Sequence, residues 1–545
     1  MSAQPKAIVL EEARSSQGVR RYAREALVRN VWIDMASRAG YLLTRVLIPP
    51  FVLSRIGLDA YSLWAAVFVF VAYAGATTIG VSAAYVKYVA DYAARGEAHK
   101  SNTLLSTGFV TVGAASVVAF GLIVLGLSQV LSWLHMPAHL QHEARIVVLL
   151  VAGSFLFDFA FSMFRDSLAG AQKIAEVQII WVASYLIETA LIVILISTGH
   201  GVLGLAEAFV VRMMVSTVLS VFLAYRLLPW IRISIRWPSR EALSQLVRFG
   251  GVVQFVALLG TVLNTVERAI ALPLVGLSAV GLLDISDKLP GMAAIIPTAL
   301  ATSLFPAAAY LRGGFADNAE GREVISDLYL RGCRYMSLLA GAISGLLATS
   351  AVPLMTVWLG RVYPGTGYLM AIFAVQQQFH VMTGPGTSIM KGIGRPREEL
   401  FYSVPNIAAV LVAMPLSYLV LGRWTILGLG SAVVVATIIS STGFIIHVNR
   451  ILKVSKGRFL RHVLLPGLVP YIVGLVFMAP ASLAAHGGRW RGAAIIAIVG
   501  ILYALTLTVV LDFLVLDAGE RQSLRNVLRR ESRRLGQLVR SNYSL

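Results

Sequence analysis

The chain has 545 residues, of which 57% are hydrophobic and only 13% charged, with a mean hydropathy of +0.76. A soluble domain is about 25% charged, so this composition excludes a water-soluble enzyme and describes a polytopic membrane protein. The formal charge of +19 does not indicate nucleic-acid binding. The cations sit mainly in breaks between apolar segments, where they set topology and meet anionic lipid. The single cysteine, Cys333, excludes an intramolecular disulfide and a cysteine metal cluster.

Residues 1–29 read as a basic tail carrying Lys6, Arg14, Arg20, Arg21, Arg24 and Arg29. The apolar stretch that follows is too long for a signal h-region, so the first span is expected to stay in the protein. That span carries Asp34, Arg38 and Arg45, although each charge costs about 2.5–3.5 kcal/mol at the bilayer centre. At about 100° per residue, Arg38 lies about 40° and Arg45 about 20° from Asp34, with Tyr41 on the same stripe. Such a stripe faces a wet cavity or a partner rather than lipid. Asp34 and Arg38 are also an i,i+4 pair that can neutralise itself. Arg45 has no acid one turn away.

Apolar segments then recur, beginning near Val31, Leu63, Thr103, Ile146, Val177, Leu203, Val247, Ala279, Leu328, Leu369, Phe401, Ile426, Leu464 and Ala493. They predict an all-α polytopic membrane protein with about fourteen transmembrane helices. Alternate breaks are basic: Lys87/Arg95/Lys100, Arg165/Lys173, Arg226 to Arg248, Arg312/Arg322, Lys391/Arg395/Arg397 and Arg450 to Arg461. The intervening breaks hold few cations, so both termini are expected in the cytoplasm. At the far end, Leu524, Val527, Leu528, Leu535 and Leu538 recur at helical spacing among five arginines, which predicts an amphipathic helix on the inner leaflet.

A weak internal repeat aligns Phe51–Trp64 with Ile270–Leu283 on Gly57 and Gly276. Parallel six-helix repeats about an axis along the membrane normal are a transporter architecture. The expected division is a tail at 1–29, an N-terminal lobe at 30–229, a linker at 230–246, a C-terminal lobe at 247–450, two further helices at 451–517 and a tail at 518–545.

The seventh span repeats the anomaly of the first. Asn264, Glu267 and Arg268 lie within one turn, and the next span carries Asp284, Asp287 and Lys288 within one turn. Clusters of this kind normally face a bundle interior, either as cavity lining or as an ion-pair network closed on itself. Asp158, Glu188, Arg212 and the run Gln376–Gln378 with His380 look more isolated. Asp158 and Glu188 are candidates for carrying a proton during transport. Gly199–Gly204 fits G-x-G-x-x-G but has no strand before it, and no Walker A sequence is present. His135, His139 and His142 have ligand-like spacing, but Pro137 interrupts them and no acid or cysteine supports them, so no metal or cofactor is expected.

The residues Pro50–Leu53, Ile56-Gly57 and Tyr61–Trp64 resemble the opening of polysaccharide transporters, the Wzx-type O-antigen and exopolysaccharide flippases. Tyr88–Gly96 resembles that group's first cytoplasmic loop, and Val266–Ile270, Val275-Gly276, Val280-Gly281 and Leu304–Pro306 continue the likeness in register. Ser62 stands where many members have Gly. The resemblance implies the multidrug/oligosaccharidyl-lipid/polysaccharide exporter fold, with two six-helix lobes around a central cavity that opens alternately to each side. Related lipid II flippases carry two extra C-terminal helices, like the spans near Leu464 and Ala493. The implied substrate is an undecaprenyl-diphosphate-linked oligosaccharide, whose head Arg38, Arg45, Arg268 and Lys288 would meet by charge-assisted bonds. Implied partners are a polysaccharide polymerase or chain-length regulator. No bond is made or broken, so the protein is not expected to be an enzyme. A lipid II-type or a drug or cation exporter of the same superfamily is the alternative; a drug or cation exporter would favour carboxylates. A membrane glycosyltransferase would need a larger outer loop than Ser128 to Arg145 provides.

Overall fold

Long apolar runs can satisfy their backbone groups in lipid only as helices or closed barrels. Every element among the described residues is helical. The computed structural model of the protein describes residues 16–133, 136–235, 238–314, 319–421, 425–486 and 488–515, with 519, 521 and 522. The amphipathic C-terminal helix expected around Leu524 to Leu538 and the start of the basic tail lie outside these residues.

The chain runs through α1 (Ser16–Arg95), α2 (Ala98–Trp133), α3 (Gln141–Gly170), α4 (Ile174–Ser197), α5 (Gly201–Leu227), α6 (Arg240–Val275), α7 (Leu277–Ala293) and α8 (Ile295–Gly314). It continues through α9 (Ala319–Thr349), α10 (Ala351–Leu359), α11 (Thr366–Val381), α12 (Gly384–Gly392), α13 (Leu400–Leu421), α14 (Thr425–Ile451), α15 (Leu465–Ser482) and α16 (Arg489–Val510). Among the described residues, ten helices are long and apolar enough to cross a membrane, or eleven if α9 and α10, bent by 73°, form one broken span. The expected count of about fourteen is not reached by that measure. The first two expected spans share α1, which is broken only at Gly57. The run starting near Ala279 breaks at Ala294, between Pro290 of α7 and Pro297 of α8, into α7, of 17 residues, and α8. The run starting near Leu369 yields α11, of 16 residues, and the short α12.

The aligned glycines of the repeat adopt the same unusual backbone. Gly57 has φ 83° and ψ 176°; Gly276 has φ 112° and ψ −176°. This region is essentially closed to residues with a Cβ. It turns the first arm of α1 into the second, and α6 into α7. Positions at equal distance past each glycine then meet. Asp59 lies against Ser278, whose hydroxyl donates to the carboxylate (3.3 Å). Ser62 packs on Gly281, where an added Cβ would come within 3.1 Å of the Ser62 Cα. Equal offsets meeting each other are what a two-fold axis between the turns produces. Gly57→Ala and Gly276→Ala are each expected to cost about 1–3 kcal/mol. No atom lies within 4 Å of either new Cβ, so the loss comes from the backbone alone and is read as a lower midpoint of thermal unfolding in detergent. An unchanged midpoint would show that the turn relaxes freely.

By packing, the chain falls into two compact units: Met1–Lys288 with Ser403–Val433, and Leu289–Tyr402 with Val434–Leu545. The lobes expected at 30–229 and 247–450 divide the chain by its repeat, whereas packing groups α6 with α1. In the first unit, Tyr85, Leu104, Met163, Phe164, Leu168 and Ile180 share a core. Side chains at the start of α2 pin the basic linker onto this unit. Asn102 donates to the Trp230 carbonyl (2.8 Å) and accepts from the Arg232 N–H (3.0 Å). Ser106 and Thr107 accept from the N–H groups of Ser234 (3.0 Å) and Ser239 (2.9 Å). In the second unit the last helix is fixed on α9. The Tyr503 hydroxyl donates to the Ala342 carbonyl (2.8 Å), and Arg334 donates to the Val515 carbonyl (2.5 Å).

Candidate substrate-binding site

Beyond the paired turns, the charges of α6 and α7 gather in the first unit. Arg268 donates to Asp287 (2.9 Å), and its guanidinium lies 3.5 Å from Asp284 and 3.8 Å from Glu267. Lys288 donates to Asp284 (2.9 Å). The Tyr61 hydroxyl donates to the same carboxylate (2.7 Å), tying the second arm of α1 to α7. Glu267, Asp284 and Tyr61 are all buried. Buried carboxylates persist only when paired or hydrogen-bonded, and this network meets that condition from three helical segments. It corresponds to the self-closed ion-pair reading more than to an anion site, because Arg268 and Lys288 are already held by acids. Asn264 does not join it. Its side chain is exposed, and its amide donates back to the Gly260 carbonyl (2.8 Å).

A second cluster forms around Tyr185 of α4. The guanidinium of Arg45, from the first arm of α1, lies 5.5 Å from the Tyr185 ring centroid. Arg212 of α5 lies 4.6 Å from the same ring and 4.6 Å from that of Phe209. Buried Glu188 sits 3.2 Å from the Nε of Arg212, which is partly buried. An aromatic face attracts a guanidinium without neutralising it. Two guanidinium groups beside one ring, with Glu188 paired to one of them, favour an oxyanion such as phosphate over a cation. A nearby cavity of about 480 Å³, lined by Leu63, Val67, Leu122, Leu127, Phe155 and Leu272, is apolar and suits hydrocarbon instead.

The side chains of Asp34 and Arg38 lie outside the described residues, as does His135. Asp158 and Glu188 are not the isolated carboxylates expected. Asp158 accepts from Arg165 (3.2 Å) and from the Thr217 hydroxyl (2.9 Å); Glu188 is held by Arg212. Packing of α3 and α4 against α5 supplies Thr217 to Asp158 and Arg212 to Glu188, while Arg165 reaches Asp158 from two turns along α3 itself. Arg165, expected in a basic break, lies inside α3. The polar run in α11 serves helix contacts: Gln378 donates to the Ser337 carbonyl (3.0 Å), and His380 meets the Tyr402 hydroxyl (2.5 Å). Gly199 and Gly201 form the turn between α4 and α5. Among the described residues, no group of three His, Cys, Asp or Glu side chains is placed to hold a metal. Sequence reasoning missed Tyr61 and Tyr185, and treated Arg212 as alone. Tyr61 stood inside the quoted repeat, but nothing in one sequence pairs it with Asp284.

No curated protein matches the chain. Solved structures share its fold. A lipid II flippase, MurJ, in an inward closed conformation aligns with a TM-score of 0.64 at 12% identity, covering 88% of this chain and 98% of its own. An inward-facing multidrug resistance MATE family transporter of the MOP superfamily aligns with a TM-score of 0.60 at 15% identity, covering 79% and 99%. A Vibrio cholerae MATE transporter, VcmN, aligns with a TM-score of 0.55 at 14% identity, covering 80% and 98%. These neighbours are transporters and a flippase rather than enzymes. The protein-family model described as polysaccharide biosynthesis protein matches residues 28–311, more than half of the chain. The resemblance carried by the motifs around Gly57 and Gly276 therefore holds: the chain belongs to the polysaccharide biosynthesis protein family, with the fold of MOP-superfamily transporters.

Proposed function

We propose that the protein is a flippase that moves an undecaprenyl-diphosphate-linked oligosaccharide from the inner to the outer leaflet of the bacterial cytoplasmic membrane. The product would feed O-antigen, capsule or exopolysaccharide synthesis, with a polymerase or chain-length regulator as downstream partner. The observation that carries this reading is the pair of guanidinium groups, Arg45 and Arg212, on the face of Tyr185. Arg45 offers charge-assisted bonds to a diphosphate beside the Arg212–Glu188 pair, while the polyprenyl tail stays in lipid. The two lobes expected from the repeat would rock about the head group, with α1 and α6 parting at the turns of Gly57 and Gly276. The test is to purify the protein and identify lipids that co-elute. A lipid-linked glycan is expected in the wild type and depleted in Arg45→Ala; a purified protein carrying none would count against this substrate.

A drug or cation exporter is the second reading. It is favoured by the three carboxylates that surround Arg268 and Lys288. Ethidium efflux without glycan export would select it. Both readings share one topology, with both termini in the cytoplasm. A cysteine placed at His200 is expected to react with an impermeant reagent added outside, and one placed at Arg240 to be spared. Labelling of both would remove the alternation of basic breaks as a guide.

A further inference from the structure

The basic breaks of the second unit have so far been explained by topology alone. Topology requires cations on one side of the membrane, but it does not require them in one concavity. Three separate breaks nevertheless converge on a pocket of about 590 Å³. Its wall carries Arg312 from the last turn of α8, Arg322 from the first turn of α9, Arg395 after α12, and Lys453 and Arg458 after α14; the acid among its described lining residues is Glu323. Asp327 takes up Arg458 at 2.9 Å. Among the described residues here the cations still outnumber the carboxylates, and a cleft focuses their field.

The pocket is shaped by two turns with left-handed residues. Gly394 (φ 79°) ends α12, and the Arg312 guanidinium lies over it so closely that a Cβ there would come 2.9 Å from Nη1. Lys453 holds φ 55° after α14, a conformation that non-glycine residues seldom adopt. The turn is fixed by the bond from the Val454 N–H to the Asn449 carbonyl (2.8 Å). Favourable interaction with helix C-termini accounts for Arg312, in the last turn of α8, and for Arg395 and Lys453 individually. It does not account for Arg322, in the first turn of α9, joining them in the same hollow.

We propose that this pocket binds a phosphate-bearing group, a phosphomonoester or diphosphate, on the basic-loop side of the second unit. Charge-assisted, bidentate contacts from arginine favour that chemistry over a carboxylate or halide. The group can come from the head of an anionic phospholipid or from a soluble phosphorylated molecule. The proposal stands apart from the substrate reading, since none of these residues belongs to the Tyr185 cluster.

The full chain in phosphatidylcholine nanodiscs is titrated with inorganic pyrophosphate by calorimetry. Saturable binding is expected, weakened about ten-fold or more in the triple variant Arg312→Gln, Arg395→Gln, Lys453→Gln. These side chains are exposed, so an unchanged melting midpoint is expected to accompany the loss. Arg45→Ala is expected to keep this binding event. Repeating the titration with phosphatidylglycerol added separates the sources: competition identifies a lipid head group, and unchanged affinity a soluble ligand. Absence of binding in phosphatidylcholine, or equal affinity in the wild type and the triple variant, would overturn the proposal.

Discussion

Asp284→Ala is expected to cost about 3–5 kcal/mol and to deplete folded protein from the membrane, because it leaves Lys288 without its acid and Arg268 with less compensation in a buried site. Asp284 accepts from Lys288 and from Tyr61, both in well-formed bonds. Removing both ends of a pair is milder than removing one. The double variant Asp284→Leu, Lys288→Leu is therefore expected to recover much of the yield, since Arg268 keeps Asp287. Tyr61→Phe removes a single bond to a charged group and is expected to cost about 1.5–3 kcal/mol. Yield and unfolding midpoint of the four proteins decide the matter. A single variant as stable as the wild type would mean that water screens the network.

Arg45→Ala is expected to lower flipping of a fluorescent lipid-linked oligosaccharide in proteoliposomes by about ten- to a hundred-fold, with normal protein levels. Arg45→Lys keeps the charge but loses the planar fork and the strong stacking on Tyr185, so partial activity is expected. Arg212→Ala is a harder case, because it strands Glu188 in a buried position. Replacing both by methionine removes the acid along with the base. If the arginines grip one diphosphate, adding Arg45→Ala to that double variant should cost less than it does alone. Full flipping by Arg45→Ala would end the diphosphate reading of this cluster. Low protein levels for Arg45→Ala would instead assign it a structural role.

What could be read from the sequence is what depends on short spacing. The repeat around Gly57 and Gly276 was visible as a pattern, and the backbone bears it out because only glycine tolerates the shared conformation. The clustering of Glu267, Arg268, Asp284, Asp287 and Lys288 was visible too, since one-turn neighbours share a face. Pairings between helices were not. Asp158 and Glu188 looked alone because Arg165 lies two turns away and Arg212 on another helix. The cationic reading of Arg268 and Lys288 overlooked that their acids would converge with Tyr61. The count of about fourteen spans is not confirmed where apolar runs fall into short helices, which hydropathy averages over.

The contact between Ser62 and Gly281 has a consequence for how the two halves can diverge. Equivalent residues that meet across a two-fold axis each contact their own counterpart. At this position the gap admits one hydroxymethyl group: Ser62 is fully buried and Gly281 leaves it room. Two serines would collide, because a Cβ added at Gly281 meets the Ser62 side chain. With serine at 62, the counterpart position is therefore open to glycine alone, and the two halves of the repeat must differ there.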